Sequence, residues 1–287
     1  MSRNVPRRNF LKTAAIAAGG LALSPFAAKV FAAAEEGGFE VGLQIYSLRN
    51  WQNDVEQALQ HCHDLEVRDI EFYGGMFSSD STPEQIAKLK ETLDGYGQVI
   101  SAHGVNKLTK DHEKNKKIFQ FCKAVGIKNL TADPDIDQGT FESLDALVKE
   151  FDVRVAIHNH GPSHKYNKVV DVLHAIEKHD ERIGACADLG HYIRSGEKPE
   201  DVIRALKGRL YGVHLKDFAE MKDKTKGVIL GKGHMNVDAT FLALREVKFP
   251  SDGALSLEYE ENPKDPIADI KECLAVARAS ARKIQMS

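Results

Sequence analysis

From residue 39 onward the chain alternates short runs of apolar and β-branched residues with longer stretches that repeat their apolar positions every three to four residues. The short runs predict strands over 41–47, 68–73, 98–104, 129–132, 153–159, 183–189, 210–216 and 254–260. The longer stretches predict helices near 54–65, 83–95, 111–125, 140–151, 166–179, 199–207, 238–247 and 266–283. Val55, Leu59 and Cys62, and again Ile267, Ile270, Leu274 and Ala277, are spaced to line one buried helical face. Thr82-Pro83-Glu84-Gln85 and Lys198-Pro199-Glu200-Asp201 read as helix starts, and Gly126 and Gly208 as helix stops. Strict β/α alternation implies a parallel sheet with right-handed crossovers. Eight units in about 250 residues is the size of a single (β/α)8 TIM barrel, an α/β fold. An open doubly wound sheet is the competing arrangement. It lacks support, because no G-x-G-x-x-G follows the first strand and no phosphate-binding P-loop occurs.

Composition changes this picture at the N-terminus. The 287 residues carry a net charge of −3, but residues 1–34 hold five bases (Arg3, Arg7, Arg8, Lys12, Lys29) and no acid. The remaining 34 bases face 42 acids, so residues 35–287 carry −8. Arg7-Arg8 precede Asn9-Phe10-Leu11-Lys12, an apolar run from Thr13 to Ala28, and Ala32-Ala33-Ala34. A basic start, a short apolar stretch and a small-residue end describe a secretory signal, and the paired arginines resemble the twin-arginine export motif. The run is shorter than the ~20 residues a spanning helix needs. We therefore expect residues 1–34 to be an export signal, residues 35–287 to be the barrel domain, and the product to be periplasmic or otherwise exported, with no stable membrane insertion once the signal is removed. A body at −8 is a poor partner for nucleic acid, which rewards clustered Lys and Arg. Cys62, Cys122, Cys186 and Cys273 are too widely spaced for a zinc ribbon or a C-x-x-C pair and read as small buried hydrophobes.

In a TIM barrel the chemistry sits at the carboxyl ends of the strands. Here those ends are polar: Glu71 on the second strand, His103 on the third and His158-Asn159-His160 on the fifth. The sixth ends in Asp188 with His191 following, the seventh in His214 and Lys216, and the eighth in Glu258 and Glu260. Side chains alternate along a strand, so His158 and His160, His214 and Lys216, and Glu258 and Glu260 share a face, the inward one, while Ile157, Val213, Leu215 and Leu257 face the helices. Imidazoles and carboxylates converging on one cavity suit a divalent metal ion. The expected ligands are His158, Asp188, His214 and Glu258, with Mn, Co or Zn favoured over Mg by the two histidines. Glu260 and Lys216 are placed to pair with each other near the rim.

Asp188-Leu189-Gly190-His191, His214-Leu215-Lys216-Asp217, Gly231-Lys232-Gly233 and Glu258 are similar to motifs of the xylose-isomerase-like barrel superfamily, the sugar phosphate isomerase/epimerase and apurinic-endonuclease-2 group. The resemblance runs from Leu43-Gln44-Ile45-Tyr46-Ser47-Leu48-Arg49 to Leu255-Ser256-Leu257-Glu258-Tyr259-Glu260. It implies that a Glu, an Asp, a His and a Glu from successive strands hold one divalent ion; Asp188, His214 and Glu258 match three of those places. His191 matches a histidine that contacts substrate oxygens. Where the epimerases carry a strand-5 Glu this chain has His158, in a stretch that resembles the His-rich strand-5 end of inosose dehydratases. The implied reaction removes a proton next to a carbonyl of a sugar or keto sugar, with Glu258 as base, His160 or His191 as second proton carrier and Lys216 beside the developing oxyanion. Glu71, His103 and Tyr46 are the expected substrate contacts. Isomerisation or epimerisation and loss of water or a glycosidic group remain alternatives. A DNA-cleaving enzyme is disfavoured by the acidic body, and a non-catalytic sugar-binding barrel by the surviving polar positions. The loop from Phe218 to Met235, with five basic or His side chains, either closes over substrate or is simply solvated. Oligomeric state is not readable.

Overall fold

A computed structural model of the chain describes residues 38–287. The expected export segment, residues 1–34, lies outside the described residues. The strands in chain order are β1 (Gly42–Gln44), β2 (Asp69–Phe72), β3 (Val99–Leu108), β4 (Asn129–Pro134), β5 (Arg154–His158), β6 (Ile183–Asp188), β7 (Leu210–Leu215), β8 (Asp217–Phe218), β9 (Gly227–Val228) and β10 (Ala254–Leu257). Eight of them close a parallel barrel in the order β1-β10-β7-β6-β5-β4-β3-β2, and β8 and β9 form a separate antiparallel hairpin at its mouth. The helices are α1 (Val55–Asp64), α2 (Pro83–Tyr96), α3 (His112–Val125), α4 (Gln138–Phe151), α5 (Val169–Ile176), α6 (Leu189–Arg194), α7 (Pro199–Ala205), α8 (Val237–Glu246) and α9 (Ile267–Gln285). The expected TIM barrel is the fold found. Among the described residues no helix is long and apolar enough to cross a membrane.

Local sequence accounts for the helix ends. Thr82 and Gln85 form a reciprocal capping box at the start of α2, with Pro83 in the first turn. α3 stops at Gly126, as expected; α7 already ends at Ala205, and Gly208 follows in a turn. Outward strand residues such as Ile157, Val213, Leu215 and Leu257 join the large core between barrel and helices. Cys62, Cys122, Cys186 and Cys273 are all free and buried, as their spacing suggested.

Three departures matter for the site. The first strand ends at Gln44, not Ser47, because the Gln44 side chain accepts the Tyr46 amide and starts a 3-10 segment over Ile45–Trp51. β3 runs on to Leu108; its register shifts between His103 and Asn106, where the Asn106 amide donates to the His103 and Thr131 carbonyls in place of the ladder. The eighth barrel strand stops at Leu257, although Glu258 still donates its amide to Leu215 and so holds barrel register.

Candidate metal and sugar site

The carboxyl ends of β5, β6, β7 and β10 bring His158, Asp188, His214 and Glu258 together under the barrel mouth, all buried. Register does the positioning: Asp188 lies opposite His214, and His214 opposite Ser256, two residues before Glu258. His158 Nε2 is 3.1 Å from His214 Nδ1 and 3.7 Å from Asp188 Oδ2. His214 Nδ1 is 3.4 Å from Glu258 Oε2 and 4.0 Å from Asp188 Oδ2. Bonds of about 2.1 Å to a common centre put neighbouring donors roughly 3.0–3.4 Å apart. The His158–His214 and His214–Glu258 separations match that spacing, the Asp188 ones exceed it by 0.3–0.6 Å, and the donor set of two imidazoles and two carboxylates suits one divalent ion.

Each donor is aimed by a neighbour. Asp188 divides its carboxylate: Oδ1 accepts the His191 amide and caps α6, leaving Oδ2 toward the cluster. Asn159 clamps the same strand end, donating to the Asp188 carbonyl at 3.0 Å and accepting the Asp188 amide at 2.8 Å. His214 directs Nε2 to Glu71 Oε2 at 3.0 Å. Glu71 in turn accepts from Thr131 Oγ1 and Ser256 Oγ, each at 2.7 Å. This carboxylate–histidine pair fixes the ring and its tautomer, as partners of metal-bound histidines do.

Lys216 crosses the same space. Its ammonium donates to Glu258 at 2.8 Å, Glu260 at 2.8 Å and Asp188 at 3.3 Å. The expected Lys216–Glu260 pair is present, but it is part of a larger buried network. Gly190 makes room for it, since a Cβ there would come 2.7 Å from Lys216 Cγ.

Charges follow from these contacts. Burial works against ionised Glu258, yet Lys216 and His214 outweigh it and hold the carboxylate well below its ordinary range. Burial likewise opposes the Lys216 ammonium, and Asp188, Glu258 and Glu260 overcome it, raising the group above its usual value. Burial also opposes a charged His214, but Cys186, Glu71 and Glu258 around it raise its pKa well above that of a free imidazole. Burial, then His214 and His160, keep His158 neutral. Burial, then the neighbouring imidazoles of His164 and His191, push His160 down to about 4, and burial, then Lys216, push His191 down to about 3, so both are neutral near pH 7.

The other expected residues fall in different places. His160 packs against His158, with ring centres 4.5 Å apart, and its Nδ1 is buried with no hydrogen-bond partner. His191 stands 6.1 Å from both rings and lines the cavity above Glu258. Glu71, expected at the substrate, lies fully buried beneath His214 and spends its carboxylate on that ring, Thr131 and Ser256. His103, expected there too, is buried among Phe77 and Phe121; its Nε2 donates to the Phe77 carbonyl at 2.7 Å and its Nδ1 accepts from Asn106 at 3.0 Å. Tyr46 sits partly exposed in the 3-10 segment, edge-on to Tyr73 and beneath the Arg49 guanidinium. Asn159, Thr131 and Ser256 were not anticipated: a polar residue one step off the catalytic phase, or small on an inner strand, carries no signal in sequence.

The Phe218–Met235 loop is tied down at its end. The Asp217 carboxylate accepts the amides of Gly231, Gly233 and Met235 at 2.9–3.0 Å. A Cβ at Gly233 would lie 2.3 Å from the Phe218 carbonyl oxygen, which explains the small residue in Gly231-Lys232-Gly233.

Fold and site together define a TIM barrel with a buried His/Asp/His/Glu centre at the carboxyl ends of its strands. The chain belongs to the xylose isomerase-like TIM barrel family, whose model matches residues 59–279. No curated protein matches it in sequence. A solved structure of an uncharacterised protein from Parabacteroides distasonis is 28% identical over 84% of this chain and 98% of that one, with a TM-score of 0.64. An L-ribulose 3-epimerase is 17% identical over 85% of this chain and 95% of its own, at a TM-score of 0.64. A Bacillus anthracis protein described as a "probable 3-DHS dehydratase" is 14% identical over 83% and 99%, also at 0.64. The last two likenesses are those of the fold.

Proposed function

We propose that the chain is a metal-dependent enzyme that removes a proton next to a carbonyl of a sugar or keto sugar, in the manner of a sugar isomerase or epimerase. The observation that supports this is the convergence on one buried point of four donor atoms, from His158, Asp188, His214 and an ionised Glu258, all within 4.8 Å of one another. His158, Asp188, His214 and Glu258 would hold a divalent ion, and such an ion supplies Lewis-acid polarisation of a carbonyl oxygen. The two imidazoles favour Mn, Co or Zn over Mg.

The protein groups divide the remaining work. Glu258 stays ionised and is the base. Lys216, held cationic by three carboxylates, is not a base; with its three donors committed to them, it acts on charge developing at substrate oxygen through its field alone. His160, whose Nδ1 has no hydrogen-bond partner, and His191, whose Nδ1 faces Arg194, are neutral near pH 7 and serve as the second proton carrier. Glu71 serves His214, not substrate, and His103 has both ring nitrogens occupied by the protein.

A second reading has its own support. With His158 in place of a strand-5 carboxylate, the imidazoles beside it that lie outside the donor cluster are those of His160 and His191, with ring centres 4.5 and 6.1 Å away. An imidazole that has taken up a proton can pass it to a leaving hydroxyl or glycosidic oxygen, which is the chemistry of a dehydratase or lyase. Proton NMR in deuterium oxide, with metal-assayed protein and a panel of ketoses and 3-keto-glycosides, separates the two. Deuterium entering carbon without loss of substrate atoms marks an isomerase or epimerase; loss of water or aglycone marks a lyase. No exchange with any panel member, at full metal loading, contradicts both. We further propose that residues 1–34 direct export, which a reporter fused to residues 1–36 and remaining cytoplasmic would disprove.

A further inference from the structure

The cavity over the centre has a charge pattern that selects among sugars; the argument rests on reading this centre as the site of sugar chemistry. A hollow of about 290 Å³ opens above Glu258 and Lys216 and is walled by His191, Arg194, Phe218 and Glu261. Small-molecule cavities run upward from about 300 Å³, so there is room for one small ring or a short open chain. We propose that its substrate is an uncharged monosaccharide-sized keto sugar, bearing neither phosphate nor carboxylate.

Anionic groups are recognised by cations and N–H donors left free to meet them. Here the two cations that line the cavity, Lys216 and Arg194, are already engaged. Lys216 has three donors and spends them on Glu258, Glu260 and Asp188. Arg194 gives Nε to the Asp223 carbonyl at 3.0 Å and Nη2 to the Asp223 carboxylate at 3.4 Å, while Nη1 meets His191 Nδ1 at 3.3 Å. Its plane covers the Phe218 ring, 5.5 Å from the ring centre. On the opposite rim Lys107 is bound to Asp135 at 2.6 Å and Lys165 to Asp133 at 2.8 Å.

The acids outnumber them. Asp188 and Glu258 balance the charge of a divalent ion, and Glu260 balances Lys216. Glu261 then faces the cavity with no ion-pair partner among the described residues, one oxygen accepting the Gly227 amide at 3.0 Å. A phosphate or carboxylate entering here meets like charge, and the two cations that line the cavity, Lys216 and Arg194, already hold acceptors. Sugar hydroxyls both donate and accept, so they can use Glu260, Glu261, His191 and Thr225 without bringing charge.

The test is titration calorimetry on the metal-loaded full chain, with ketopentoses and ketohexoses and the terminal phosphate ester of each. At least one neutral ketose should bind, and its phosphate ester should bind at least tenfold more weakly. An ester that binds as tightly as its parent, or a panel with no neutral binder, overturns the proposal. A neutral ketose that binds without carbon-bound deuterium exchange leaves the ligand class standing and refutes the enzymatic reading instead. Glu261→Lys should narrow the neutral-to-phosphate gap at least tenfold, and Glu261→Gln, which keeps an acceptor for Gly227, should narrow it less. A gap that neither variant moves overturns the assignment to this cavity.

Discussion

At the scale of single residues the site is a set of committed bonds, and each commitment has a measurable consequence. Glu258→Gln keeps an oxygen for the cluster but removes the base, so deuterium exchange should fall by at least 100-fold with the fold intact. Near wild-type exchange with metal still bound would remove Glu258 from that role. Glu71→Gln should weaken metal binding by about 10–100-fold in a chelator competition, the usual effect of loosening a histidine's outer partner. A third test lies at the barrel floor. Burial and the nearby Asp69 carboxylate raise Glu40 from 4.5 to about 7, against Arg278 and Arg68. The folded chain thus holds a proton that the unfolded chain releases, and stability falls as pH rises from about 4.5 to 7. Glu40→Gln should therefore melt a few degrees above the wild type at pH 8 and alike at pH 4.5. The inward phase of His158, Asp188, His214 and Glu258 was legible because alternation along a strand is rigid. The tasks of Glu71 and His103 were not. Glu71 has that phase, and only its three-dimensional partners show that it steadies a ring; His103, in register with Phe72 and Leu130 after a bulge between β2 and β3, faces the helices instead.

At the scale of elements, the strands place the donors and short local contacts trim them. Asp217 illustrates the second job: one carboxylate holds three loop amides, and burial still leaves its pKa raised. Asp217→Ala would leave those N–H groups without their acceptor and should cost about 2–4 kcal/mol in denaturant unfolding. Faster amide exchange confined to residues 231–235 would be the local signature. The hairpin of β8 and β9 and the six-residue α6 escaped the sequence pattern because both are too short to show a period. The early end of β1 escaped it because a Gln side chain, not a change in hydrophobicity, turns the chain into a 3-10 segment. Long amphipathic stretches such as α2, α3 and α9 were placed to within a few residues, since their buried faces repeat over several turns.

At the scale of the whole molecule, eight repeated β/α units leave little freedom in topology, which is why the barrel could be read from alternation alone. The barrel positions polar groups from strands far apart in sequence on one point: Glu71 and His214 are 143 residues apart and 3.0 Å from each other. A divalent ion held at that point would link folding to metal binding and stabilise the folded chain by mass action. Chelator treatment should accordingly lower the melting temperature, and the Asp188→Asn variant should lose most of that response. The central claim is that a divalent ion and Glu258 together remove a carbon-bound proton from a sugar. Deuterium incorporation into a bound ketose, followed by NMR before and after chelation and metal restoration, tests it most directly. The account predicts exchange that disappears on chelation, returns with Mn, Co or Zn, and is absent in Glu258→Gln. Exchange that persists without metal, or none in the fully loaded protein with any ketose that binds, would contradict it.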